Sequence, residues 1–145
     1  MLRRIHAVGF SRLLTLGEAA VCLIVARTAL RIVPFRYIVW ALNRPWSRSV
    51  TDNATRSLRR RRVSWAVERV AHSLPGQTVC FPKAIAAYFM CRLRGIPGTL
   101  YYGVTKSAAS GLKAHVWLQD GPVGIVGHSV AEEYGVLLRF PGSVV

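Results

Sequence analysis

Two residues have the types and the chain order that nucleophilic sulfur chemistry requires: Cys80 and, 35 positions later, His115. The run from Cys80 through Leu93 reads as one helix of roughly 14 residues, with Pro82 in its first turn and Gly95 and Pro97 as its stop. Cys80 therefore falls at the helix start. A helix N-terminus carries about half a positive charge and several unpaired N–H groups, which favour a thiolate over a thiol. Ala114-His115-Val116-Trp117-Leu118-Gln119 reads as a strand, on which alternation puts His115, Trp117 and Gln119 on one face. If that face packs over the helix start, imidazole meets sulfur and can serve as its base. A lone cysteine is more often a small hydrophobe and a lone strand histidine a core residue. It is the ordered pair that points to a thiol hydrolase.

A third group should orient the imidazole from the neighbouring strand. Asp120 lies in the hairpin turn, about 16 Å from His115 at 3.3 Å per residue, and is too far. Gly127 or His128 returns beside His115 across the Asp120-Gly121 turn, and His128 is the better positional candidate. Gln77, three residues before the nucleophile, is a candidate to hold an oxyanion with the Cys80 N–H, or simply a turn residue. Cys22 and Cys91 read as packing residues. Cys80 and Cys91 are about 16 Å apart on the one helix, too far for a disulfide.

The elements that must position this pair follow from hydrophobic pattern. Residues 1–10 read as a basic, mobile start, and a long apolar helix runs from Ser11 to the break at Pro34. A membrane span needs about 18 to 20 mostly uncharged residues. Between Glu18 and Arg27 there are only eight, so a helix in the core or at an interface is the stronger reading. Arg12, Arg27, Arg31 and Arg36 could snorkel beside a membrane surface. Phe35–Leu42 forms a second apolar segment. Ala54–Ser73 forms a third helix, whose buried side reads as Leu58, Val63, Trp65, Ala66, Val70 and Ala71. Beyond Pro97 the period becomes two-residue: strands over 99–104, 113–119, 122–127 and 134–140, with a loop over 105–112. Helices first and an antiparallel sheet last make an α+β fold. The division is an Arg-rich helical part over 1–73, packed on a core over 74–145 that carries the chemistry.

The formal net charge is +14, and 14 Arg against three acids lie in residues 1–72. Such a balance invites polyanions, but no zinc-finger, helix-turn-helix or RNA-recognition signature accompanies it, and nucleic acid is not the expected partner. Arg59, Arg60, Arg61 and Arg62 form either a solvated helix face or a docking surface for an acidic peptide or partner. Three cysteines without metal-ligand spacing imply no metal, and no cofactor is expected. No cleavable signal is evident, so a reducing cytoplasm is the expected compartment.

Cys80-Phe-Pro-Lys-Ala, Arg92-Leu-Arg-Gly-Ile-Pro-Gly, Tyr102-Gly-Val and Ala114-His-Val-Trp-Leu with Asp120-Gly121 together resemble the leader peptidases of lasso-peptide biosynthesis. These are papain-like, transglutaminase-like enzymes, and the resemblance is to the stand-alone C-terminal half of the microcin-processing B proteins, over residues 12–140. It implies a cysteine peptidase that removes the leader from a precursor peptide, with Cys80 as nucleophile and His115 as base. It also implies a separate leader-recognition protein and an ATP-dependent lasso cyclase acting on the freed core peptide. That family generally places a carboxylate at the third site, where this chain has Gly127 or His128. The competing expectation is a non-catalytic basic adapter that binds the precursor, the cyclase or a polyanion.

Overall fold

The computed structural model describes residues 2–45, 49–75, 80–107, 109 and 111–142, with side chains from residue 9 onward. Its elements are α1 (Leu2–Ile32), α2 (Phe35–Asn43), α3 (Asn53–Ser73), α4 (Cys80–Leu93), β1 (Thr99–Ser107), β2 (Gly111–Asp120), β3 (Val123–Val126), a 3₁₀ turn (His128–Glu133) and β4 (Gly135–Phe140). The layout is α+β: helices, then a four-stranded sheet in the order β3-β2-β1-β4, antiparallel throughout.

Helix α1 starts nine residues earlier than its Ser11 cap suggested. Nothing between Leu2 and Phe10 breaks a helix except Gly9, which costs only about 1 kcal/mol. It ends before Pro34, whose ring cannot continue the ladder. Over Gly9–Ile32 it is long and apolar enough, by length and composition, to cross a membrane. One side of it, however, is core: Thr15, Ala19, Leu23 and Ala26 are buried against α3 and α4. Glu18 Oε1 and Oε2 each accept from the Arg94 guanidinium at 2.6 Å, tying α1 to the end of α4.

Asp52 caps α3 by accepting from the Thr55 N–H at 2.9 Å. The buried side of α3 is Val63, Ala66, Val67 and Ala71. Leu58 and Trp65, expected inside, are exposed. The reason is polar. The inward positions of the first turns belong to Arg56 and Arg60, which reach Asp120 on β2.

α4 stops as its sequence requires. Gly95 takes φ +69°, its N–H donates to Arg92 O, and the Ile96 N–H reaches back to Cys91 O at 2.9 Å, a Schellman closure. α4 is buried along most of its length, with Tyr88 donating its hydroxyl to Leu42 O at 2.6 Å. The segment expected as a loop over 105–112 is mostly strand. β1 and β2 pair without interruption from Thr99↔Gln119 to Ser107↔Gly111. One hydrophobic core draws on all four helices and all four strands, from Leu23 and Leu42 to Val63, Met90, Leu118, Val126 and Phe140.

Candidate active site

Cys80 is the first residue of α4 and is half-buried. The ring of Phe81 beside it lies 5.9 Å from Phe35 on α2 and 6.4 Å from Tyr102 on β1. Tyr102 pairs with Val116, and the next rung joins Gly103 to His115. The start of α4 and His115 therefore stand at the same level along the sheet.

They do not share a face of it. The ladder between β1 and β2 has no bulge, so alternation is strict. Val116 and Leu118 belong to the core shared with α4, and Leu118 closes with Cys91 around Gly98. His115 and Trp117 point the other way, toward Tyr101 and Tyr134. The expectation that the His115 face packs over the helix start is thus corrected. That face is covered by the 3₁₀ turn as the chain crosses from β3 to β4. Among the described residues no hydrogen bond joins Cys80 to His115.

The imidazole of His115 is nonetheless fixed. Its Nε2 lies 2.7 Å from the Gly127 carbonyl oxygen. A carbonyl only accepts, so Nε2 carries the proton, and in the neutral ring Nδ1 is the lone-pair nitrogen. The ring is also held between Trp117 (centroids 6.0 Å apart, 17° between planes) and Tyr134 (5.1 Å, 35°). Gly103, opposite His115, leaves room for this stack: a Cβ there would fall 2.9 Å from the Trp117 ring. β3 has ended at Val126, so β2 has no ladder partner on that side beyond Leu118. The Gly127 carbonyl occupies that open edge.

Gly127 adopts φ +70°, and a Cβ on it would lie 2.9 Å from Val116 O and 3.3 Å from His115 Nε2. The group that meets the imidazole is this main-chain oxygen. The His128 ring instead packs over Gly124, where a Cβ would come within 2.4 Å of it. Gln77 lies outside the described residues.

Asp120, set aside as a triad member, is buried and accepts from Arg56 Nε at 2.6 Å, from Arg56 Nη2, and from Arg60 Nη1 at 2.9 Å. Burial pushes its pKa up, but the two guanidinium groups pull harder, and the net shift is downward. Sequence reading missed this cluster, since 64 and 60 residues separate the partners. Of the four consecutive arginines, three serve the fold. Arg60 binds Asp120, Arg59 donates to Arg94 O at 2.7 Å, and Arg62 to Ser11 Oγ at 3.1 Å. Arg61 is exposed, with no hydrogen bond or ion pair found among the described residues.

Burial raises the pKa of the other two thiols, Cys91 to about 12 and Cys22 in the same direction, with Glu18 adding to the latter. Both are packing residues. Among the described residues no group of three or more His, Cys, Asp or Glu side chains is placed to hold a metal ion.

No curated protein and no solved structure matches the chain. A family model described as the transglutaminase-like superfamily matches residues 20–139, which bracket both Cys80 and His115. Helices followed by a four-stranded antiparallel sheet, with a cysteine opening the helix on that sheet, agree with it, and the chain belongs to the transglutaminase-like superfamily.

Proposed function

We propose that the chain is a thiol peptidase that removes the leader from a lasso-peptide precursor. The observation that carries the reading is the orientation of His115. Its Nε2–H is committed to the Gly127 carbonyl, which leaves Nδ1 as the nitrogen able to take a proton. Superfamily membership, which generally includes cysteine peptidases, supports the same chemistry.

In this mechanism His115 Nδ1 takes the Cys80 proton as sulfur attacks the last leader carbonyl, and the N–H groups of the α4 start hold the oxyanion. The C–N bond breaks, and the imidazolium proton goes to the departing core amine. Water then hydrolyses the thioester and releases the leader carboxylate. Because α4 and the His115 ring lie on opposite faces of the sheet, the mechanism requires the thiol and the imidazole to be brought together around the open edge of β2, next to Gly127. A separate leader-recognition protein delivers the precursor, and an ATP-dependent cyclase takes the freed amine.

The test is incubation of the chain with a precursor peptide, with and without the recognition protein, read by mass. Two fragments that disappear with Cys80→Ala and with His115→Ala support the peptidase. The lack of a Cys80–His115 hydrogen bond favours a second reading, a non-catalytic adapter for the precursor or cyclase. On that reading Cys80→Ala leaves peptide maturation intact.

A further inference from the structure

Helix α1 is largely apolar on the side that faces away from the core, with Thr28 as the exposed polar residue within it. At 100° per residue, Leu13, Leu14, Val21, Ile24, Val25 and Ile32 fall within one arc of about 120°, and each is more than half exposed. The buried Thr15, Ala19, Leu23 and Ala26 occupy the opposite arc. A helix on the surface of a globular protein normally turns a polar face outward; one that is apolar all round is covered on both sides. From Leu13 to Ile32 the stripe is about 29 Å long at 1.5 Å per residue. It continues into an apolar groove of about 330 Å³, where Val21 and Val25 face Tyr37 and Ile38 of α2. An apolar surface of this extent on a single chain marks a binding surface.

The charges around it select the occupant. Residues 9–45 contain five arginines and one acid, Glu18, which is paired with Arg94. Arg12 falls on the core-facing arc and Arg27 donates to Pro75 O, which leaves Arg31, Arg36 and Arg44 on the outer side. Arg31 borders the stripe. Arg36 on α2 and Arg44, which caps its C-terminus, flank exposed Trp40, with the Arg44 guanidinium 5.0 Å over the Trp40 ring and Arg36 4.8 Å over Tyr37. Tyr and Trp at the rim of an apolar band, with arginines beside them, suit the headgroup level of a bilayer. We propose that the outer face of α1, with the exposed side of α2, lies on an anionic membrane surface, its apolar stripe in the acyl boundary and its arginines among the headgroups. The helix does not cross. Its other face is held in the core and by the Glu18–Arg94 pair. This placement does not depend on Cys80.

The experiment is flotation of the full chain with vesicles of phosphatidylglycerol and phosphatidylcholine, against vesicles of phosphatidylcholine alone. The expected result is co-flotation with the anionic vesicles that salt weakens. Val21→Ser/Ile24→Ser, both at exposed positions, should abolish it without changing the melting temperature. Arg31→Gln/Arg36→Gln should weaken partitioning about fivefold per charge removed. Trp40 fluorescence, assigned by its loss in Trp40→Phe, should shift to the blue on vesicle addition. No flotation, equal flotation of Val21→Ser/Ile24→Ser, or a dimer in sedimentation that the same pair of substitutions dissociates would each overturn the proposal. The last result would make the occupant a second copy of the chain.

Discussion

His115 Nε2 donates to the main-chain oxygen of Gly127, 2.7 Å away across the β2–β3 hairpin. A carbonyl can fix a tautomer and a ring orientation as a carboxylate does, but it brings no full charge to stabilise the imidazolium. The arrangement depends on a glycine at φ +70°. Gly127→Ala adds a left-handed backbone cost of about 1–2 kcal/mol, and its Cβ would crowd Val116 O. The melting temperature should fall by about 4 °C per kcal/mol, and precursor cleavage should fall further than stability alone explains. Calorimetry alongside a cleavage assay below the melting range separates the two effects.

The Asp120 cluster predicts an acid limb in stability. The carboxyl of Asp120 titrates below its ordinary range when folded. Its contribution is therefore complete above the unfolded pKa of about 3.9 and is lost as pH falls through the lower folded value. Asp120→Asn removes the counter-charge of two arginines whose side chains are only about one-fifth to one-quarter exposed, at a cost of about 3 kcal/mol at pH 7. Thermal melts of wild type and Asp120→Asn between pH 7 and pH 3 should converge at the acid end. Parallel curves would show that the carboxylate is not what holds the hairpin to α3.

Thiol labelling should be selective. Iodoacetamide attacks thiolates, and burial keeps Cys91 protonated up to about pH 12 and raises Cys22 as well. At pH 8 the native chain should take one adduct, at Cys80, as shown by peptide mapping. Adducts at Cys91 before Cys80 would mean that α4 opens more readily than its packing allows.

The basic run on α3 should divide by position. Arg60→Glu sets a second carboxylate against Asp120 and should destabilise by about 3 kcal/mol. Arg61→Glu touches no ion pair and should stay within about 0.5 kcal/mol. If an acidic leader or recognition protein docks on α3, Arg61→Glu should weaken that complex in a pull-down while leaving the melting curve unchanged.

Local chemistry made α4 readable in advance. Pro82, Gly95 and Pro97 bound it, and the observed helix runs from Cys80 to Leu93. The hairpin turn at Asp120-Gly121 and the alternation of His115 with Trp117 were equally local. Which face of β2 meets α4 was not, because that choice rests on packing of Val116 and Leu118 against residues far along the chain. The long-range ion pairs of Asp120 left no signal at all. A carboxylate in an Asp-Gly turn reads as solvent-exposed, and Arg56 and Arg60 read as one side of a charged helix. Gly127 had a faint signal, a glycine where the third strand should continue into a histidine. Only the folded ring of His115 shows that its carbonyl matters.

The bracing of Asp120 by Arg56 and Arg60 bears on how the molecule can be taken apart. The hairpin that supports the imidazole is guyed to α3, 60 to 64 residues upstream, and α3 and α4 in turn carry α1 as their roof. A fragment beginning after Ser73 would shed both the roof and the guy ropes. Heat should accordingly melt the intact chain in one step, and protease nicks within α3 should silence the distant histidine.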